Sequence, residues 1–209
     1  MTEELVHFKA GDLRLEGRLA LPAGATGGAV VCHPHPQYGG TMDNNVVVAI
    51  AEALQAGGIA TLRFNFRGVA GSQGCYGEGR GEVDDARAAV AFVRERLGDG
   101  DITLAGYSFG AMIALLAGHD ASGVSRLVAI APPVAMFDLA FLSGCRRPKL
   151  FVAGDKDQYC PLAKLEAQLA TAAEPKSFVR IAGADHFFYG HEAAMAHAVA
   201  EFSLEKQVK

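Results

Sequence analysis

The chain opens with polar and apolar residues in alternation, and then loses that alternation. Glu4–Ala10 (ELVHFKA) and Leu13–Leu21 (LRLEGRLAL) both follow a period of two, with Gly11-Asp12 between them. This predicts two half-buried strands joined by a tight turn. From Gly27 onward the apolar runs are short and continuous. Gly27–His33 (GGAVVCH), Ile59–Phe66 (IATLRFNF), Asp101–Tyr107 (DITLAGY), Val124–Pro133 (VSRLVAIAPP), Arg147–Asp155 (RPKLFVAGD) and Lys176–Ala184 (KSFVRIAGA) read as strands covered on both faces. Between them lie segments with helical spacing. These are Asp43–Gly58, with Asp43 or Asn44 as its cap, Glu82–Leu97, Ser108–His119, Leu162–Ala173 and Gly190–Leu204. Glu82–Leu97 carries acids in its first turn and arginines near its end, as the helix dipole favours.

Buried strands alternating with helices predict an α/β fold: a mostly parallel, twisted sheet with helices on both faces and an antiparallel N-terminal edge. No repeat or linker divides the chain, so one domain over 1–209 is expected. In such sheets the reactive side chains gather at the carboxyl ends of the strands.

Composition narrows the partners. Half of the 209 residues are hydrophobic and the formal net charge is −4. A basic patch for nucleic acid or an anionic membrane is therefore not expected. The N-terminus lacks the basic start and apolar block of a signal peptide, and no apolar run reaches the length of a membrane span. The four cysteines, Cys32, Cys75, Cys145 and Cys160, form no CxxC pair. A cytoplasmic protein with reduced thiols is expected, as monomer or homodimer, acting on a small molecule without a cofactor.

The candidate chemistry sits at the strand ends. Gly106-Tyr107-Ser108-Phe109-Gly110 matches G-x-S-x-G between a strand and a helix, the context in which a sharp turn points a serine hydroxyl outward. Side chains at Gly106 and Gly110 would collide with the neighbouring strand or helix. The near-copy Ala70-Gly71-Ser72-Gln73-Gly74 follows a strand but opens no helix, so Ser72 reads as a loop residue. A serine needs a base. Of the seven histidines, His186 alone lies in the loop directly after the last strand. His119 reads as a helix C-cap, while His191 and His197 belong to the final helix. The base needs an acid, and Asp155 and Asp157 both follow the strand ending at Gly154. Asp157 is favoured because it lies further into the loop, whereas Asp155 suits the turn's own amides.

An oxyanion site needs two N–H donors. Phe109, the residue after Ser108, supplies one. The other is expected from the loop His33–Gly40, in which Pro34 and Pro36 have none. His35 is the first choice and Tyr38 the second. His33 and His35 also form an H-x-H pair, but no third ligand is spaced to complete a zinc site, so no metal is expected.

Together, Cys32–Val47 (CHPHPQYGGTMDNNVV), Arg63–Gly74 (RFNFRGVAGSQG), GYSFG, Gly154–Pro161 (GDKDQYCP) and Gly183–Phe188 (GADHFF) resemble small bacterial α/β-hydrolases of the lidless, dienelactone-hydrolase-like kind. The resemblance spans nearly the whole chain. It implies a triad of Ser108, Asp157 and His186, and an oxyanion contribution from the His33–Gly40 loop. Dienelactone hydrolase itself uses a cysteine where this chain has serine. Ala70 replaces a glycine usual in similar proteins. Only Val134–Pro148 separates two strands where larger relatives insert a helical lid, so an open site for short acyl groups is expected. The apolar stretch Pro132–Leu142 is expected either to wall that site or to pack on the core. The expected activity is hydrolysis of small carboxylic esters or thioesters. Acyl transfer on the same residues, or a non-catalytic binding protein on the same fold, are the alternatives.

Overall fold

A computed structural model describes residues 2–98 and 100–205. Eight strands form one sheet in the order β1-β2-β4-β3-β5-β6-β7-β8. They are β1 Glu4–Ala10, β2 Leu13–Ala20, β3 Gly27–Cys32, β4 Ala60–Phe64, β5 Asp101–Tyr107, β6 Arg126–Ile130, β7 Lys149–Gly154 and β8 Lys176–Ile181. The alternating N-terminal segment forms the expected hairpin. Ala10 pairs with Leu13 across Gly11-Asp12, and β2 runs antiparallel to β4. All later pairings are parallel.

The continuous apolar runs follow from this topology, because β3 to β7 have neighbours on both edges and helices over both faces. α1 (Asn45–Ala56) and α5 (Glu192–Leu204) pack together, as do α2 (Arg80–Leu97) and α3 (Phe109–Gly118). The core runs through the sheet centre: Val30, Leu104, Leu127 and Phe151 are fully buried. Each such side chain contributes roughly 1.5–3 kcal/mol relative to exposure. β8, at the edge, leaves Lys176 and Arg180 partly or fully exposed, a charged margin that discourages further strand pairing.

Helix ends shifted from the expected positions have local causes. Asn44, not Asp43, caps α1 by accepting the Val46 N–H at 3.0 Å. α2 starts two residues earlier than expected because the Glu82 carboxylate reaches back to the Gly77 and Gly79 amides. α4 (Leu162–Leu169) stops short of Ala173. There the Thr171 hydroxyl bonds the Gln168 carbonyl, the Ala172 amide closes a tighter turn onto Leu169, and Pro175 follows.

The strand order reverses at β3. The chain leaves β3 for β4 on one side, then crosses back to place β5 on the other. The loops after β3 and β5 therefore border one crevice at the carboxyl end of the sheet. Between β6 and β7 only residues 131–148 intervene, with a short 3-10 helix at Ala140–Gly144 and no helical lid. That segment does structural work: Val134, Leu139 and Leu142 are buried, and the Ala135 amide bonds the Tyr159 carbonyl.

Ala70 sits at φ +46°, the left-handed region where a β-carbon is penalised by about 1–2 kcal/mol. Ala70→Gly is expected to raise stability by about 0.5–1 kcal/mol, since added freedom in the unfolded chain offsets part of the relief. Urea denaturation of the pair decides it, and a glycine variant of lower stability contradicts it.

Candidate functional site

Ser108 stands at the junction of β5 and α3 with φ +55° and ψ −118°. A residue other than glycine in such a conformation is strained, and its surroundings show how the strain is held. A β-carbon on Gly106 would run into the carbonyl oxygen of Gly110. One on Gly110 would run into the carbonyls of Cys32 and His33 at the end of β3. The two glycines thus let the bend close on itself and let α3 begin against β3. The Ser108 amide is tied to the Ile130 carbonyl of β6 at 2.8 Å. The side chain remains partly exposed.

His186, Asp157 and Ser108 form one hydrogen-bonded line. His186 Nε2 lies 2.9 Å from Ser108 Oγ, and His186 Nδ1 lies 2.8 Å from Asp157 Oδ2. The other carboxylate oxygen, Oδ1, accepts the amides of Tyr159 and Cys160 at 2.8 and 2.9 Å. The acid therefore keeps a fixed face toward the ring, which leaves Nδ1 as the donor and Nε2 as the acceptor. The loops after β7 and β8 can meet because Gly154 has no side chain. A β-carbon there would strike the Ala184 carbonyl, which instead accepts the Lys156 amide at 2.9 Å.

Asp155 is occupied elsewhere, though not with its own turn as expected from sequence. Its carboxylate takes the Arg180 guanidinium at 2.8 Å and the Gly183 amide at 2.8 Å. The Arg180 guanidinium first, and then the Gly183 amide, hold the pKa of its carboxyl below the usual carboxylate range. Asp155 thus joins the two loops, while Asp157 faces the imidazole.

Phe109 opens α3, so its N–H has no acceptor within the helix. In the loop after β3, the Gln37 amide bonds His35 Nδ1, the Tyr38 and Gly40 amides bond the His35 carbonyl, and the Gly39 amide bonds Pro36. The Tyr38 N–H is thereby committed inside the loop. Among the described residues no acceptor takes the His35 N–H, and the His35 ring lies 4.7 Å from that of Phe109. Of the two donors considered, His35 is the one left available.

His33 and His35 do not act as a pair. His33 is fully buried, its Nδ1 donating to the Pro34 carbonyl at 2.6 Å and its Nε2 accepting the Phe66 amide at 3.1 Å. Both ring nitrogens are spent on backbone, so the ring shapes the loop and has no lone pair for a metal. His35 Nδ1 is likewise engaged by Gln37, and its Nε2 lies 3.2 Å from the Tyr76 hydroxyl. Among the described residues no three His, Cys, Asp or Glu side chains are grouped to hold a metal ion.

Burial pushes the pKa of His33 down to about 4. Its neutral form is the one folding requires, because a protonated Nε2 would face the Phe66 N–H. In the unfolded chain the ring titrates near its ordinary value of about 6.5. Stability is then fully present above that value and is lost as pH falls toward 4, by on the order of 3 kcal/mol. Urea titrations at pH 7 and pH 4.5 should show this loss in the wild type and a flatter profile in His33→Gln. Equal slopes would contradict the assignment.

Some contributors were not legible in sequence. The Tyr107 hydroxyl donates to the His186 carbonyl at 2.8 Å across 79 positions, pinning the histidine loop from below. The Ser72 hydroxyl bonds the Asn65 carbonyl and receives the Glu16 amide, the loop role expected for it. Cys160 lies beside Asp157, but burial, and then the Asp157 charge, push its thiol up to about 12. Cys32 is raised for the same first reason. Neither is a thiolate at neutral pH.

Comparison with known proteins agrees with this architecture. Residues 30–144 match the model of the alpha/beta hydrolase fold. An alpha-beta serine hydrolase homologue from Coxiella burnetii is 38% identical, with a TM-score of 0.89 over 96% of this chain and 97% of that one. A serine hydrolase without a lid from Xanthomonas campestris is 32% identical, with a TM-score of 0.85 over 97% of this chain and 94% of that one. An uncharacterised protein of Rickettsia prowazekii is 33% identical over 97% of this chain and 89% of its own length. No helix among the described residues is long and apolar enough to cross a membrane. By sequence match, sheet order and strand-end geometry alike, the chain belongs to the alpha/beta hydrolase fold family.

Proposed function

We propose that the protein is a serine hydrolase that cleaves small carboxylic esters or thioesters through an acyl-enzyme on Ser108. The observation that carries this reading is the unbroken line Asp157–His186–Ser108, with contacts of 2.8 and 2.9 Å. It is supported by the similar structures described as a serine hydrolase homologue and as a serine hydrolase without a lid.

In this scheme Ser108 Oγ attacks the substrate carbonyl carbon while His186 Nε2 takes the hydroxyl proton. The carbonyl oxygen becomes an oxyanion and rests on the amides of Phe109 and His35. Asp157 holds Nδ1–H and stabilises the imidazolium without taking its proton. The tetrahedral intermediate collapses as Nε2 returns the proton to the leaving oxygen or sulfur, and the acyl group stays on Oγ. Water, deprotonated by the same Nε2, then attacks the acyl carbon and frees the acid. The short β6–β7 connection leaves the site open to water and suits short or accessible acyl groups.

A screen of short-chain p-nitrophenyl esters and acyl-CoA thioesters against wild type and Ser108→Ala tests the proposal. Turnover by wild type that falls by about 10⁶-fold in the variant supports it. Turnover near the wild-type rate in the variant refutes it.

A further inference from the structure

The loop carrying His186 exposes aromatic rings that the proton transfers do not need. From His186 to Tyr189 burial alternates. His186 and Phe188 point inward, whereas Phe187 and Tyr189 are 48% and 71% exposed. Phe188 sits at φ +56°, and its ring meets Tyr107 edge-on, with centroids 6.4 Å apart. The outward rings of Phe187 and Tyr189 stack on each other at 6.1 Å and 19°. They are mounted on an anchored loop. The Phe187 amide bonds Asp185, its carbonyl accepts from Asn45, the His191 amide bonds the Phe188 carbonyl, and Tyr107 holds the His186 carbonyl.

Two exposed rings flank the imidazole, and Tyr189 joins them through its stack on Phe187. Phe187 stands edge-on to His186 at 5.8 Å and 84°, and Tyr159, 41% exposed, lies 4.8 Å from it. A contiguous cluster of exposed rings marks a surface that meets a ligand or a partner, and an anchored loop lowers the ordering cost of that contact. The chemistry says which part of a substrate passes there. Nε2 must come within about 3 Å of the leaving atom to return its proton. Tyr159 and Phe187 are rings beside that imidazole, within reach of a group attached to the leaving atom. The acyl carbon, by contrast, is fixed by Oγ and the oxyanion donors.

Resting on the serine-hydrolase reading above, we infer that Tyr159, Phe187 and Tyr189 form a leaving-group subsite for a flat, apolar alcohol, such as an arylmethyl group. A planar group stacks on such rings, whereas a puckered ring of equal size does not. Each stacking contact is worth about two- to tenfold in kcat/KM.

Benzyl acetate and cyclohexylmethyl acetate provide the test. They share the acyl group and have leaving alcohols of similar acidity, and the cyclohexyl compound is the more lipophilic. Wild type should favour benzyl acetate by about tenfold in kcat/KM. In Tyr189→Ala, Phe187→Leu and the double variant that ratio should fall toward one. An equal loss on both esters with the ratio kept, a wild-type ratio near one, or a variant that changes the sedimentation mass would overturn the inference; the last would make the rings a contact between copies of this chain. A Ser108-dependent enzyme without benzyl preference sinks only the subsite. Failure to cleave either ester, together with no Ser108 labelling by a fluorophosphonate, sinks the hydrolase reading as well.

Discussion

Replacing Ser108 by alanine is expected to lower kcat on a short-chain ester by about 10⁶-fold while leaving the fold intact. The magnitude follows from the way the three side chains are joined. His186 Nε2 faces Ser108 Oγ at 2.9 Å to take its proton, and without Oγ it has nothing to activate but water. His186→Ala should cost about as much, because Oγ would keep its proton. The double variant should be no slower than either single one, since both remove the same step. A residual acceleration of about 10³–10⁴ over water should survive in all three, from substrate binding and the Phe109 and His35 amides. Additive losses in the double variant would mean that the two residues act independently, contrary to the geometry.

Asp157→Asn should lower kcat by about 10⁴-fold, and the surrounding amides say why. Oδ1 accepts two backbone N–H groups, from Tyr159 and Cys160. In the variant the amide oxygen must take that position, which turns the NH₂ group toward His186 Nδ1. Nδ1 then becomes an acceptor, Nε2 carries the proton, and the ring presents a donor to Ser108 where an acceptor is needed. Asp155→Asn should change kcat by less than about threefold, because the amide oxygen still accepts the Gly183 N–H and what is lost is the charge paired with the exposed Arg180 guanidinium. Steady-state kinetics on the two variants, with circular dichroism to confirm folding, settles the assignment. A larger defect in Asp155→Asn would reverse it.

The fold was legible where physics is local. Alternation over Glu4–Ala10 and Leu13–Leu21 against continuous apolar runs in the later strands separates a half-exposed hairpin from a covered parallel sheet. Ser108 was legible for the same reason, since its strand, glycines and helix are contiguous. The position of His186 after the last strand followed from the topology. What sequence did not carry depends on contacts across the chain. The Tyr107 hydroxyl on the His186 carbonyl and the Gly154 approach to Ala184 join loops with no pattern linking them. The choice of His35 over Tyr38 rests on where the Tyr38 amide is spent, a matter of loop closure. Asp155 could be set aside from sequence, but its true partners, Arg180 and Gly183, lie on another strand and loop.

The central claim is that Ser108 Oγ is activated by His186, and covalent labelling reads it directly. Incubation with a fluorophosphonate, followed by peptide mass spectrometry, should place one adduct per chain on Ser108 in the wild type and none in folded Ser108→Ala or His186→Ala. Absence of an adduct in folded wild-type protein, or an adduct on Ser72 instead, would contradict it.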